Sequence, residues 1–168
     1  MLSVYSRRLR AEDYEIGDPD FGAPRQLLAN NFANSQPSLS PDGRWFAYVS
    51  NESGRNEVYV RPYPGPGGRW QVSLEGGSQP LWSPTGREIF YRDGDKMMAA
   101  TVRTQGGFDV GSRQQLFAGA FAQGSGRNYD VTRDGQTFLM LQPLVGAAQA
   151  VVVTLNWFDE ARRKAGER

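Results

Sequence analysis

Residues 37–48 read PSLSPDGRWFAY, and residues 80–91 repeat the pattern as PLWSPTGREIFY. A third, weaker copy reads YDVTRDGQTFLM at residues 129–140. The shared glycine stands at positions 43, 86 and 135, so the copies are 43 and 49 residues apart. Four-stranded β-propeller blades recur with a period of roughly 40 to 50 residues. The spacing therefore predicts a run of such blades.

Each copy contains the residues of a tight hairpin turn. In the first copy Pro41 presets the second turn position, Asp42 tolerates the third, and Gly43 adopts a left-handed conformation without a Cβ clash. Apolar residues before the turn indicate an inner strand. The nearly continuous apolar run after it is typical of a strand buried on both faces. Thr85 stands in place of Asp and Arg133 in place of Pro, but both copies keep the glycine.

Two further strands complete each predicted blade. Residues 57–61 alternate between polar and apolar, as a strand with one buried face does, and residues 97–102 and 150–155 are their counterparts. A shorter and more polar outer strand follows at residues 70–73 and 114–117. We therefore predict an all-β chain with about three four-stranded antiparallel sheets.

The predicted organisation is a single propeller-type domain over residues 1–168. The first segment ends an incomplete blade or supplies a closing strand, because residues 25–28 resemble the outer strand at 113–117. A short helix is expected near residues 156–164, where Asn156 caps the start and basic residues favour the end. The predicted boundaries are 1–28 for the first segment, 29–73, 74–117 and 118–157 for three blades, and 158–168 for a C-terminal tail.

The run Ser-Pro-Asp-Gly-Arg, followed by an aromatic-rich strand, resembles the WD40-like repeat of bacterial TolB-type β-propellers. The tail VVVTLNWFDE at residues 151–160 resembles the C-terminal end of propellers linked to bacterial Ser/Thr kinases and of related uncharacterised propellers. The resemblance covers about residues 25–160 and implies the fold. It implies no activity, because one fold hosts many functions. The sequence holds neither a kinase signature nor a Gly-x-Ser-x-Gly nucleophile elbow.

The composition excludes several kinds of chemistry. The 168 residues include no cysteine and no histidine, which excludes disulfides, Ser-His-Asp and Cys-His catalytic units and the usual zinc sites. We predict no metal site and no cofactor. The 19 basic and 18 acidic residues give a net charge of +1. They form no dense basic stripe of the kind that nucleic-acid binding requires, so no nucleic-acid partner is predicted.

Hydrophobicity along the chain predicts no direct membrane insertion. No apolar stretch reaches the ~20 residues of a membrane span, and the first ten residues lack the apolar core of a signal peptide. As written, the chain is expected in the cytoplasm. The resemblance, however, implies relatives that are often extracytoplasmic, so the compartment stays open.

Polar, glycine-rich connections are concentrated on one rim of the predicted blades. Links from outer to inner strand and from second to third strand emerge there, and such loops on a rigid scaffold are typical of a binding face. The candidate ligand-binding residues are Asn31, Asn34, Gln36, Arg55, Arg92, Asp93, Arg127 and Asn128. For an enzyme, the candidate catalytic acids are Glu52, Asp93, Asp95 and Asp130.

The leading functional hypothesis is a non-catalytic binding or scaffolding module that binds a protein partner or senses a ligand, because no nucleophile–base pair is recognisable. The alternatives are a hydrolase, esterase or glycan-acting, that uses rim carboxylates, and a detached sensor fragment of a kinase-type protein. Three blades cannot close a ring, since closed propellers typically have four to eight. Exposed strand edges and blade faces favour association. We therefore predict a homodimer that forms a six-bladed ring.

Overall fold

The computed structural model describes residues 3–4, 25–124, 126–143 and 150–154. These residues form thirteen β-strands and no helix, so they contain no helical segment able to cross a bilayer. In every sheet the strands are antiparallel, and neighbours in space are also neighbours in the chain. The predicted all-β class is confirmed. The predicted helix near residues 156–164 lies outside the described residues.

Two sheets have the predicted four strands, and a third has three strands within the described residues. The first sheet consists of β3 (Asn34–Leu39), β4 (Trp45–Ser50), β5 (Glu57–Pro62) and β6 (Trp70–Gln71). The second sheet consists of β7 (Ser78–Trp82), β8 (Glu88–Asp93), β9 (Lys96–Arg103) and β10 (Asp109–Ala118). The third sheet consists of β11 (Tyr129–Val131), β12 (Phe138–Gln142) and β13 (Ala150–Thr154). A separate pair is formed by β1 (Ser3–Val4) and β2 (Arg25–Gln26).

One pattern of hydrogen bonds holds the repeated turn. In the first sheet Ser40 Oγ donates to Asp42 Oδ1 at 2.6 Å and accepts the backbone N–H of Trp45 at 3.0 Å. The same carboxylate oxygen accepts the backbone N–H two residues further on at 3.1 Å. The third sheet repeats this arrangement with Thr132 and Asp134. A hydroxyl and a carboxylate therefore close the hairpin together, as aspartate does in many turns.

The second sheet keeps the turn although Thr85 replaces the aspartate. Ser83 Oγ lies 3.1 Å from Thr85 Oγ1 and accepts the backbone N–H of Glu88 at 3.1 Å. A hydroxyl therefore replaces the carboxylate, and the hairpin closes in the same way. The turn glycines have left-handed φ values of 68°, 69° and 73° at Gly43, Gly86 and Gly135.

The core consists of apolar layers between successive sheets. Full burial of a large apolar side chain stabilises a fold by roughly 1.5–3 kcal/mol, so each layer holds its two sheets together. Between the first and second sheets the layer contains Ala47, Val49, Val58, Val60, Ile89, Tyr91, Ala100 and Val102. Between the second and third sheets it contains Phe90, Met97, Ala99, Tyr129, Phe138 and Met140. Before the first sheet it contains Leu27, Leu28, Phe46, Tyr48 and Tyr59.

Valine at Gly43, Gly86 or Gly135 is expected to lower the free energy of unfolding by roughly 1 kcal/mol or more, because a side chain is strained at positive φ. Gly126 is exposed, has no left-handed φ, and a Cβ added there meets open space. Gly126→Val is therefore the matched control. Urea unfolding measures all four variants, and unchanged midpoints for the first three would contradict the prediction.

Asp42 is expected to make part of the stability depend on pH. The hydrogen bond from Ser40 is the main cause that lowers the pKa of Asp42 to about 2. An unfolded aspartate titrates near ~3.9. The contribution of Asp42 is therefore fully present above pH ~4 and is lost as the pH falls towards about 2.

Urea unfolding between pH 5 and pH 2 tests this contribution. The stability difference between the wild type and Asp42→Asn should shrink as the pH falls, since asparagine keeps the acceptor oxygen but not the charge. Thr85→Asn is the control, because it replaces a side chain that does not titrate at the position equivalent to Asp42. Parallel curves for the wild type and Asp42→Asn would show that Asp42 is not the cause.

Candidate functional site

The connections that were predicted to form a binding face meet at one edge of the molecule, here called the rim. The N–H of Gly77 donates to the carbonyl oxygen of Asn56 at 2.9 Å, and the N–H of Gly119 donates to that of Asp95 at 3.0 Å. Backbone hydrogen bonds thus join two connections at the first sheet and two at the second. The rim comprises residues 29–33, 51–56, 72–77, 94–95, 119–124 and 126–128.

Three amide residues link the inner strands of the three sheets at the rim, and we call them the amide chain. Gln36 Oε1 accepts the backbone N–H of Gln79 at 2.6 Å, and Gln79 Oε1 accepts the backbone N–H of Asn128 at 3.1 Å. All three residues stand seven positions before a turn glycine, so they are equivalent in the repeat. Each of the two glutamine side chains therefore fixes the inner strand of the following sheet, by about 1 kcal/mol per hydrogen bond.

A backbone irregularity directs these glutamines towards the neighbouring sheet. Gln36 and Gln79 have φ values of 52° and 54°. Each lies at a register shift between the first and second strands of its sheet. Proline follows each glutamine, and a bulge is where an inner strand tolerates a proline. Positive φ costs a non-glycine residue roughly 1–3 kcal/mol and is concentrated at functional sites.

Gln79 is the centre of the amide chain, and the sequence analysis did not include it among the candidates. It is 2% exposed, and its carbonyl oxygen accepts a hydrogen bond from the hydroxyl of Tyr129 at 2.7 Å. Burial raises the pKa of Tyr129, so this hydroxyl stays a donor. The signal was present in the sequence, because SQP occurs at both 35–37 and 78–80 and makes Gln79 the counterpart of Gln36.

Arg92 places a buried positive charge beneath the rim. The residue is 1% exposed, and its guanidinium lies 5.2 Å from the ring centre of Phe121. Nη2 donates to Gly94 O at 2.7 Å and Nε to Lys96 O at 3.3 Å. Nη1 has no hydrogen bond to any described residue. Burial lowers the pKa of Arg92, and the charge of Asp95 opposes that shift. Arginine nevertheless stays protonated in proteins.

The structure brings two of the predicted ligand-binding residues, Gln36 and Asn128, together at Gln79 in the amide chain. Arg92 lies on β8 and bonds instead to the carbonyl oxygens of Gly94 and Lys96. Asp93 also belongs to the predicted set and is paired with a lysine. Asn34 donates to Asn30, Arg55 pairs with Glu57, Arg127 donates to the Tyr129 carbonyl, and Asn31 is exposed. The binding role of all eight residues stays a prediction.

The four candidate catalytic acids are engaged separately. Glu52 and Asp93 form ion pairs with basic side chains, at 3.0 and 3.1 Å. Asp95 accepts a hydrogen bond from Gln123 at 3.3 Å, and Asp130 accepts the backbone N–H of the next residue at 2.9 Å. No hydrogen bond joins any two of the four. Within the described part of the chain, no group of three or more acidic residues is placed to hold a metal ion.

A broad groove lies at the opposite edge of the second sheet. Its volume is about 1070 Å³, and residues 85–88 and 101–109 line it. Burial raises the pKa of Glu88 in this lining. The predicted rim residues lie elsewhere, so the groove is a second surface, of mixed polarity, that the sequence did not indicate.

Solved structures share this arrangement of sheets. A protein from Agrobacterium tumefaciens described as a TolB matches with a TM-score of 0.58 and 18% identity, over 81% of this chain and 50% of that one. Oligogalacturonate lyase from Vibrio parahaemolyticus matches with a TM-score of 0.55 and 12% identity, over 84% of this chain and 36% of that one. TolB from Acinetobacter baumannii matches with a TM-score of 0.42 and 17% identity, over 83% and 45%.

The fold is a TolB-like β-propeller. The three sheets are therefore propeller blades, as the repeat predicted. This chain spans half the length of the Agrobacterium protein and 36% of the lyase. Because the lyase is an enzyme by name, the shared fold does not decide between binding and catalysis. No protein-family model and no curated protein matches the sequence.

Replacing Gln79 is expected to weaken the junction between the second and third sheets. Gln79→Ala removes the acceptor for the Asn128 N–H and should lower the free energy of unfolding by about 1 kcal/mol or more. Gln79→Gly removes the same acceptor but relieves the positive φ, so its loss should be smaller. Gln114, exposed on β10, provides the control Gln114→Ala. Equal stability of Gln79→Ala and Gln114→Ala in urea would contradict a role for the amide chain.

Proposed function

We propose that this protein is a non-catalytic binding module that engages a protein partner through the rim. One observation carries the proposal: the exposed polar residues Asn31, Asp95 and Arg127 lie on connections that the amide chain and backbone hydrogen bonds hold in place. Exposed loop residues on a rigid scaffold bind with little loss of conformational entropy. The rim therefore has the physical properties of a preformed binding surface.

The buried charge of Arg92 adds to this proposal. A buried cation with an unused N–H is costly, since desolvation is only partly offset by its hydrogen bonds to two carbonyl oxygens. The rim is thus better suited to a partner with exposed acceptor groups, such as carboxylates, than to an apolar one.

The rival reading as a hydrolase gains no support from the arrangement of the acids. A carboxylate pair across a substrate is the signature of glycoside hydrolysis. Here the side chain of Glu52 is 4% exposed and paired with Arg69, while Asp95 and Asp130 are exposed and contribute to different sheets. A sensor fragment of a kinase-type protein would also use a binding rim. That hypothesis differs from the proposed one only in the protein to which the module belongs.

The assembly that we propose for this module is a homodimer that completes a six-bladed ring. The chain matches 50% of the length of the Agrobacterium TolB structure. Two copies therefore supply about the mass of that propeller. A closed ring also removes the exposed faces that an open row of sheets would leave at its ends.

Binding at the rim is tested by comparing partners captured by three versions of the protein. The double variant Asn31→Ala and Arg127→Ala changes two exposed rim residues. Arg87→Ala changes an exposed residue at the opposite edge and is the control. A partner captured by the wild type should bind the rim variant at least about tenfold more weakly in calorimetry, or about 1.4 kcal/mol. Equal affinity for wild type and rim variant would show that the rim is not the binding surface.

A further inference from the structure

Each of the first two sheets presents four equivalent positions to the sheet that follows it. Two positions lie on the second strand and two on the third, and the strand register pairs them directly. We call these positions the forward face. The forward faces are Ala47, Val49, Val58 and Val60 in the first sheet and Phe90, Arg92, Met97 and Ala99 in the second; in the third sheet the equivalent positions of the second strand are Leu139 and Leu141.

The forward faces of the first two sheets are covered, whereas Leu139 on the forward face of the third sheet is exposed and Leu141 is half-buried. The eight residues of the first two faces are 0–2% exposed, because each face packs on the next sheet. Leu139 has the same place in the repeat and is 42% exposed. Leu139 is therefore an apolar side chain at a packed position of the repeat that no described sheet covers.

At the opposite end of the row of sheets, an apolar side chain that is packed in the other repeats is also exposed. One position on the inner strand is equivalent in the three sheets: Leu39, Trp82 and Val131. Each is paired with a residue of the second strand, namely Phe46, Ile89 and Phe138 respectively. Trp82 is 4% exposed and Val131 is partly buried, because each packs towards the preceding sheet. Leu39 is 53% exposed. Leu27 and Leu28 cover Phe46 on this side and leave Leu39 in solvent.

Four large apolar side chains of the described residues are exposed: Phe32, Leu39, Leu74 and Leu139. Phe32 and Leu74 lie in connections between strands. Leu39 and Leu139 occupy positions that pack between sheets elsewhere in the same chain. The two ends of the row are thus complementary. The third sheet presents its forward face, and the first sheet presents the side on which a forward face packs elsewhere in the chain.

We infer that the forward face of the third sheet, centred on Leu139, packs against the Leu39 side of the first sheet in a second copy of this chain. The inference rests on the proposed homodimer and names its contact. A second copy is the fitting occupant because this chain carries both halves of the contact. Two copies also match the length of the TolB structure, half of which one copy covers. A head-to-tail contact of this kind occurs twice in a closed ring and leaves no end uncovered.

Cysteine cross-linking tests the contact, because the chain has no cysteine of its own. The double variant Leu39→Cys and Leu139→Cys, treated with a short bismaleimide, should form a covalent dimer and no longer species. Each single variant should stay uncross-linked, since neither cysteine faces its own counterpart. The pair Leu39→Cys and Leu74→Cys is the control, because Leu74 is 55% exposed in a connection. A ladder of longer species would overturn the closed ring.

Light scattering separates failure of the contact from failure of the dimer. The wild type should have a mass of about twice 18.7 kDa, and Leu139→Asp should reduce it to that of one chain, whereas Leu74→Asp should not. A wild-type mass of 18.7 kDa would overturn both the dimer and the contact. A dimer that survives Leu139→Asp, or that cross-links through Leu139→Cys alone, would keep the dimer and overturn the contact.

Discussion

Each sheet of this protein is apolar on both faces, and that constraint determines the rest of the architecture. A sheet with two apolar faces cannot stand at the surface, so it needs a neighbour on either side. A single strand, β4, shows both apolar faces: Ala47 and Val49 pack on one side, and Phe46 and Tyr48 pack on the other. A row of such sheets is stable only as far as neighbours extend, and a ring is the arrangement in which every face has one.

Apolar layers hold the sheets together but do not fix where one sheet stands relative to the next. The amide chain provides this directional information at the rim, because a hydrogen bond depends on angle and distance whereas apolar burial does not. Arg113 contributes at the outer edge, where it donates to the carbonyl oxygen of Gln71 at 3.3 Å in the preceding sheet. Polar contacts at both edges and an apolar layer between them thus define the junction of the first and second sheets.

Much of this fold was predictable from the sequence because turn chemistry is local. The hydroxyl and glycine of each turn, with an aspartate in two of the three, act within a few residues, so their spacing predicted the strands and their order. The site was less predictable, because contacts between sheets join residues more than 40 positions apart. Gln36 was a candidate from its place in the rim, whereas Gln79 required recognition that SQP is itself repeated. Arg92 was a candidate, but its burial against Phe121 follows from packing that no local pattern specifies.

Arg92 also limits how the repeats of such a protein can be exchanged. At the same place the first sheet has Val49 and the third has Leu141, so only the second sheet sends a charge towards its successor. That charge is accommodated by Phe121 and by the carbonyl oxygens of Gly94 and Lys96. A duplicated or transposed second repeat would bring the guanidinium against the apolar layer that begins with Ile89 and Tyr91. The repeats are alike in backbone but each is matched to its neighbours, so an exchanged second repeat would bury the Arg92 guanidinium without the ring of Phe121 that now packs beside it.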